Sequence, residues 1–243
     1  MRKVSIPKLP GTPKEAEFRP RDQKILDRTR EIWLDPGKKT PKTHGSYQYH
    51  RRIILLLGMR TMTPDEFKAQ WEQDETSRLV RYPRSVVSEL TISDEAKSFL
   101  TDIGLPEGAA PFLDFGGSSQ IAIPTVTEVW NAGERRYRII GSNGYGDPVC
   151  VDTESAGRVF YLLHDDDMAP RFMNSSIPQL AYSLLAFRKV VADTNAIGGK
   201  SAYLEGKIPS EVVDRFITEV ETIDPPAISS EHFWFRSIVG EGI

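Results

Sequence analysis

Two stretches of the chain gather residue types that do chemistry. The first, "IIGSNGYGDPVCVD" at residues 139–152, places Gly141, Gly144 and Gly146 ahead of Asp147 and between two short apolar runs. Glycine-rich turns grip phosphate where a strand meets a helix, because the helix N-terminus supplies aligned N–H donors and a positive dipole end. Here "PVCVD", "TESAG" and "RVFYLLH" follow, which read as strand, turn and strand. The Lys and Ser or Thr that a phosphate loop requires after its last glycine are replaced by Asp147 and Pro148. The stretch is expected to be a sheet turn whose glycines serve by allowing positive φ. The second, "LLHDDDM" at residues 162–168, joins His164 to Asp165, Asp166 and Asp167 and invites a hard metal ion. Consecutive residues at a strand end point alternately to opposite sides, and EF-hand spacing is absent. The expectation is a solvated acidic strand exit with no metal, since unpaired carboxylates cost least where water reaches them.

Other candidates are weaker. His44, His50 and His232 have no partners at ligand or triad spacing, and neither an H-E-x-x-H motif nor a G-x-S-x-G elbow occurs, "GGSS" at 116–119 included. No catalytic residue is assigned. Cys150, the single cysteine, sits inside an apolar strand pattern and is expected to be a buried, inert thiol. Trp71, Trp130 and Trp234 are read as core residues, not stacking platforms for bases. Asn174 and Ser175, just ahead of a helical pattern, are expected to satisfy its orphan N–H groups. The same position would also suit an anion.

Composition narrows the class. A chain of 243 residues can bury a real core, and one cysteine fits a reducing cytoplasm. No apolar run approaches a membrane span; "IILLLG" at 53–58 is too short. The net charge of −3 conceals a division: residues 1–60 hold 15 Lys/Arg against 6 Asp/Glu (+9), and the remainder 16 against 28 (−12). Residues 1–58 are basic and Pro-rich, with one hint of a helix in "RDQKILDRTREIW", and are read as a mostly disordered extension. A nucleic-acid contact by this arm lacks a folded element to read a groove, so none is assigned. The alternative is translation from Met59 or Met62, which would leave that segment non-native.

Residues 59–243 are expected to form one α+β domain. Thr63, Pro64 and Glu66 spell a capping box, with Phe67 and Trp71 on one helix face. "VRYPRSVV" reads as an irregular passage or short strand. Ser93 caps a second helix, with Asp94 and Glu95 in its first turn, Ala96, Phe99, Leu100 and Ile103 as its buried stripe, and Gly104 as its stop. After the ambiguous "APFLDFGG", four strands are expected at 120–130, 136–141, 148–152 and 158–164. Short connections join them as an antiparallel meander. Ser176 with Gln179 opens a third helix carrying Leu180, Leu184, Phe187 and Val191. Ser210 opens a fourth carrying Val213, Phe216, Ile217 and Val220, ended by Pro225. The tail "EHFWFRSIV" is expected to add an edge strand.

From Thr63 onward this order of elements resembles the SUKH superfamily, whose members include immunity proteins of polymorphic toxin systems and fungal cell-wall-assembly regulators. "FLTDIGLP", "YRIIGSNGYGDPVCVD", "TESAGRVFYLLHDD" and "FMNSSIPQLAYSLLAF" carry the likeness, and "GLP" with "NSS" before an amphipathic helix looks most like the SUKH-4 branch. The resemblance implies a twisted antiparallel sheet of about five to six strands flanked by helices. It further implies a bacterial cytoplasmic protein that occludes a cognate protein toxin, a nuclease or deaminase, with no catalysis, no cofactor and no membrane or direct nucleic-acid contact. A domain carrying −12 is suited to a basic, polyanion-gripping cleft. The acids expected at the binding face are Asp147, Asp152, Glu154, Asp165, Asp166 and Asp167. Gly141, Gly144, Gly146, Asn174, Ser175 and Ser176 are expected to be structural. An intracellular scaffold of the same fold is the alternative function. A hydrolase using the acids of "HDDD", with the glycine turn as anion site, is a lesser one.

Overall fold

The first described helix opens where the sequence places its first capping box. In the computed structural model, which describes residues 62–73, 77–116 and 122–240, the Thr63 hydroxyl accepts from the Glu66 backbone N–H at 3.3 Å and the Glu66 carboxylate accepts from the Thr63 N–H at 2.9 Å. This opens helix α1 (Pro64–Trp71), which buries Phe67 and Trp71. The basic segment 1–58, with His44 and His50, lies outside the described residues. So do the start of the strand expected at 120–130 and most of "GGSS".

Strand β1 (Leu79–Val80) is followed by a single helical turn, α2 (Arg84–Val87). "VRYPRSVV" therefore splits into strand end and helix at Pro83, whose fixed φ suits a helix start. Helix α3 (Asp94–Ser98) begins at Ser93, whose hydroxyl accepts from the Ala96 N–H at 3.2 Å. It continues as a π turn, Phe99–Ile103, and stops at Gly104, φ 92°. A Cβ at Gly104 would lie 2.3 Å from the Val80 carbonyl oxygen, so this stop also permits close approach to β1. Strand β2 (Leu105–Pro106) pairs with β1 in a two-stranded ribbon.

The main sheet is a six-stranded antiparallel meander in simple chain order. Its strands are β3 (Gly108–Ala109), β4 (Leu113–Asp114), β5 (Tyr137–Asn143), β6 (Pro148–Asp152), β7 (Arg158–Leu163) and β8 (Ala169–Asn174). The ambiguous "APFLDFGG" supplies the β3–β4 hairpin. β8 escapes the alternation rule because Pro170 and Arg171 interrupt it, which a sheet tolerates at an edge. Every residue of β6 is buried, as befits a strand covered on both faces.

One cover is α4 (Val126–Trp130), where a strand was expected. The Thr125 hydroxyl accepts from the Glu128 N–H at 3.2 Å and the Glu128 carboxylate accepts from the Thr125 N–H at 2.7 Å. This local capping box overrides the β-branched composition of "TVTEV". Beneath it Val126, Tyr137, Cys150, Leu162 and Met168 form an apolar cluster. Burial pushes the Cys150 thiol far up from its ordinary value, so it is inert.

The other cover is α5 (Ile177–Gly198), 22 residues long, flanked by α6 (Ser210–Ile223), a 3₁₀ turn (Pro225–Ile228) and α7 (Phe233–Val239). Ser176 is the N-cap of α5. Ser210 is not a cap but the first residue of α6, because Pro209 already takes the extended N-cap conformation and fixes the start. The expected edge strand at the tail is instead α7. Phe233, Trp234 and Phe235 are consecutive and all buried, which an edge strand with one solvent face cannot provide. Edge-to-face rings weld this layer: Phe187 to Phe216 at 5.2 Å, Phe233 to Trp234 at 5.0 Å, and Tyr161 of the sheet to Phe233 at 5.4 Å.

Sheet and helices are joined through one buried carboxylate. Asp224, at the end of α6, accepts from the Ser175 N–H (2.7 Å), the Ser175 hydroxyl (2.8 Å) and the Asn174 amide (3.1 Å). The Asn174 amide also donates to the Ser183 hydroxyl at 3.1 Å, and its carbonyl accepts from the Trp234 indole at 2.8 Å. Burial raises the Asp224 carboxyl above its ordinary range, and its three hydrogen bonds oppose that rise. Asn174→Ala strands a buried indole N–H and removes one donor from the carboxylate. It is expected to lower stability by roughly 2–4 kcal/mol, measured by urea unfolding, with Ser176→Ala, an exchange at an ordinary cap, costing roughly 1 kcal/mol.

Candidate functional site

The meander sorts its turns by end. The β3–β4, β5–β6 and β7–β8 turns (residues 110–112, 144–147 and 164–168) share one end of the sheet, and the β6–β7 turn (153–157) lies at the other. The six acids expected on one face therefore separate. Glu154 and Asp152 are at the β6–β7 end, Asp147, Asp165, Asp166 and Asp167 at the other.

Two of the six face inward. Asp152 is 2% exposed; it accepts from the Glu154 N–H at 2.9 Å and lies 3.7 Å from Arg136 Nη1. Glu154, although exposed, reaches the same guanidinium at 3.9 Å, and Glu134 pairs with it at 3.3 Å, so the acids at this end share one cation. Asp147 is 4% exposed and is the centre of a clasp. Its Oδ1 accepts from the His164 backbone N–H at 2.9 Å and lies 2.6 Å from His164 Nδ1, while Oδ2 accepts from the Asn143 amide at 3.0 Å. The β5–β6 turn is thereby tied to the β7–β8 turn. Asp147 and Asp152 are each held by backbone and side-chain groups of the chain itself, so the outward-facing acids of the six are Glu154 and Asp165–Asp167.

The glycines of the first stretch divide by cause. Only Gly146, φ 90°, needs the left-handed region. Gly141 lies at a bulge where a Cβ would meet the Asp114 carbonyl oxygen at 2.6 Å, and a Cβ on Gly144 would meet the Phe112 side chain at 2.9 Å. Close approach, not positive φ, is the requirement at those two positions. Asn174 and Ser175 do not cap α5, as Ser176 does. They hold the Asp224 carboxylate, so the anion suited to that position is supplied by the chain itself.

Asp165, Asp166 and Asp167 are exposed, as the sequence suggests for a solvated strand exit. Asp165 lies 3.1 Å from His164 Nε2, and Asp166 is 3.8 Å from Arg171 on the neighbouring strand. The indole of Trp130, 39% exposed and not a core residue, packs on the His164 ring with centroids 5.4 Å apart. His232 has a structural contact to the Pro226 carbonyl oxygen at 2.7 Å. Among the described residues no group of three or more His, Cys, Asp or Glu side chains is arranged to hold a metal ion. No described helix is long and apolar enough to cross a membrane. Absent from the sequence reading are the exposed aromatics of this end, Phe112 and Tyr145, each 63% exposed. The signal for Tyr145 was present: an aromatic flanked by two glycines in a turn has nothing local to bury it.

His164 faces a carboxylate oxygen at each ring nitrogen. The Asp147 hydrogen bond, chiefly, and the charges of Asp165 and Asp147 raise its pKa above the ordinary value, with partial desolvation opposing. A histidine whose folded value is raised contributes stability that is complete below its unfolded value and is lost as pH rises through the folded one. His164→Asn is therefore expected to lower Tm more at pH 5.5 than at pH 9, read by thermal melts across that range.

The comparisons accord with this architecture. Neither the curated proteins nor the solved structures yielded a match. A family model described as SUKH-4 immunity protein matches residues 63–240, which takes in all of the described elements from α1 to α7. The chain belongs to the SUKH-4 immunity protein family.

Proposed function

We propose that this protein binds a cognate polymorphic toxin of the nuclease or deaminase type in the cytoplasm of the bacterial cell that produces it, and neutralises it by occlusion, without catalysis. Inhibition is assigned to residues 59–243, outside which the basic segment 1–58 falls. The observation that carries the reading is the exposed turn Asp165–Asp167, on a part of the chain that holds 28 Asp/Glu against 16 Lys/Arg, in a family of immunity proteins. An enzyme that grips a polyanion presents a basic cleft, and an acidic turn on a rigid sheet end complements it. Asp165, Asp166 and Asp167 are the acids proposed to face the toxin. Asp147 supports them from below by holding the β7–β8 turn in place.

Charge at the rim of an interface acts mainly on encounter. Replacing Asp165, Asp166 and Asp167 together by Asn is expected to slow association with the toxin domain encoded beside this gene about tenfold or more at low salt. The wild-type rate should fall toward the variant's as salt is raised. Stopped-flow or biolayer measurements at two ionic strengths test this. A wild-type association rate indifferent to salt, or a wild type that leaves the toxin active, refutes the reading.

A further inference from the structure

The end of the sheet that carries the acidic turn also carries exposed apolar side chains. Phe112 stands at its centre. Its φ of 57° is left-handed, a conformation that bulky L-residues rarely adopt, yet the residue is 63% exposed. Backbone strain at a core residue is offset by burying the side chain, and here folding leaves most of the residue exposed. Phe112 lies across Gly144, where a Cβ would come within 2.9 Å of it, and Gly144 leads directly to Tyr145, also 63% exposed. On its other side Phe112 lines a groove of about 360 Å³ with Ala109, Ala110, Val191, Tyr203 and the 74% exposed Leu204, Asn195 and Lys200 being its polar members. Apolar surface thus runs from the α5–α6 connection across the β3–β4 turn to the β5–β6 turn.

The acids lie further along the same edge. From β4 to β7 is three strand spacings, about 14 Å, and the six strand ends together span about 24 Å. No Lys or Arg occurs in the three turns themselves, residues 110–112, 144–147 and 164–168. An aromatic centre with an acidic flank is the arrangement of hot spot and rim.

We infer that this end of the sheet is the toxin-docking face, with Phe112 and Tyr145 as anchors that enter an apolar pocket on the toxin beside its basic cleft, while Asp165–Asp167 pair with the cleft's cations. The inference rests on the function proposed above and names the residues that give the complex its lifetime. Charge steers arrival; buried aromatics govern departure.

The experiment uses the full chain and the toxin domain that the proposed function expects to be encoded beside its gene, carrying an inactivating substitution. Phe112→Ala is expected to raise Kd about 50-fold or more, chiefly through faster dissociation, and Tyr145→Ala about tenfold, while Glu154→Gln at the opposite end stays within about twofold. Phe112→Gly, which relieves the left-handed backbone, should show the same loss with an unchanged or raised Tm, separating contact from folding. In hydrogen-exchange footprinting of the complex, residues 110–112 and 144–147 should gain protection. Binding by Phe112→Ala within about threefold of wild type overturns this inference and leaves the proposed function standing. Failure of the wild type to bind the toxin overturns both. A wild-type dimer that Phe112→Ala dissociates assigns the face to a second copy. Protection of those turns in the free monomer assigns it to the chain's own N-terminal segment. Either result also overturns the inference.

Discussion

The Asp224 carboxylate is the constraint on which the rest of the architecture depends. A buried carboxyl group is costly unless it is hydrogen-bonded, and the chain supplies three donors to this one from the end of β8 and the residue after it. The partners are consecutive residues, Asn174 and Ser175, so the position where the sheet ends and α5 begins is fixed by the group that terminates α6. Asn174 then passes the constraint on to Trp234 of α7. Four elements that share no strand ladder are held in one arrangement by hydrogen bonds that tolerate little displacement. The positive end of a 22-residue helix adjoins the carboxylate and adds to its stabilisation.

A parallel economy governs the other acids. Asp147 and Asp152 are needed inside because hairpin turns leave N–H groups that no ladder satisfies, and a short carboxylate reaches them: the His164 N–H in one case, the Glu154 N–H in the other. Their burial leaves the exposed charge to residues with no backbone duty. At one end Arg136 is shared by Asp152, Glu154 and Glu134; at the other, Asp165–Asp167 are exposed, with Arg171 beside Asp166.

What the sequence made legible follows from how local each cause is. The caps at Thr63, Ser93 and Ser176, the stop at Gly104 and the strands over 136–141, 148–152 and 158–164 rest on neighbours within a few residues, and each is found where periodicity and capping chemistry place it. The errors have equally local or wholly non-local reasons. "TVTEVW" satisfies a strand pattern and a capping box at once, and the box prevails. "HFWFR" has strand-like composition, but three consecutive buried aromatics require neighbours on all sides, which α5, α6 and the sheet supply only in three dimensions. Which acids turn inward was not legible at all. Asp147 and His164 are distant in sequence, and only the strand order makes them adjacent.

The same distinction bears on why the proposed recognition is placed at the end with the β3–β4, β5–β6 and β7–β8 turns. The sheet's faces are consumed by α4 on one side and α5 and α7 on the other, so neither can change without disturbing the core. The β6–β7 end closes on Arg136 and its acids. The remaining end is built from turns whose tips, Phe112, Tyr145 and Asp165–Asp167, contribute little to the core, while their roots, Gly141, Asn143 and Asp147, are fixed by close approach and buried hydrogen bonds. Fixed roots with exposed tips let the tips vary in sequence at small cost in stability. The hydrogen bonds at Asn143 and Asp147 also hold the turn backbone beneath Tyr145, so that less loop entropy is lost when a partner closes over it.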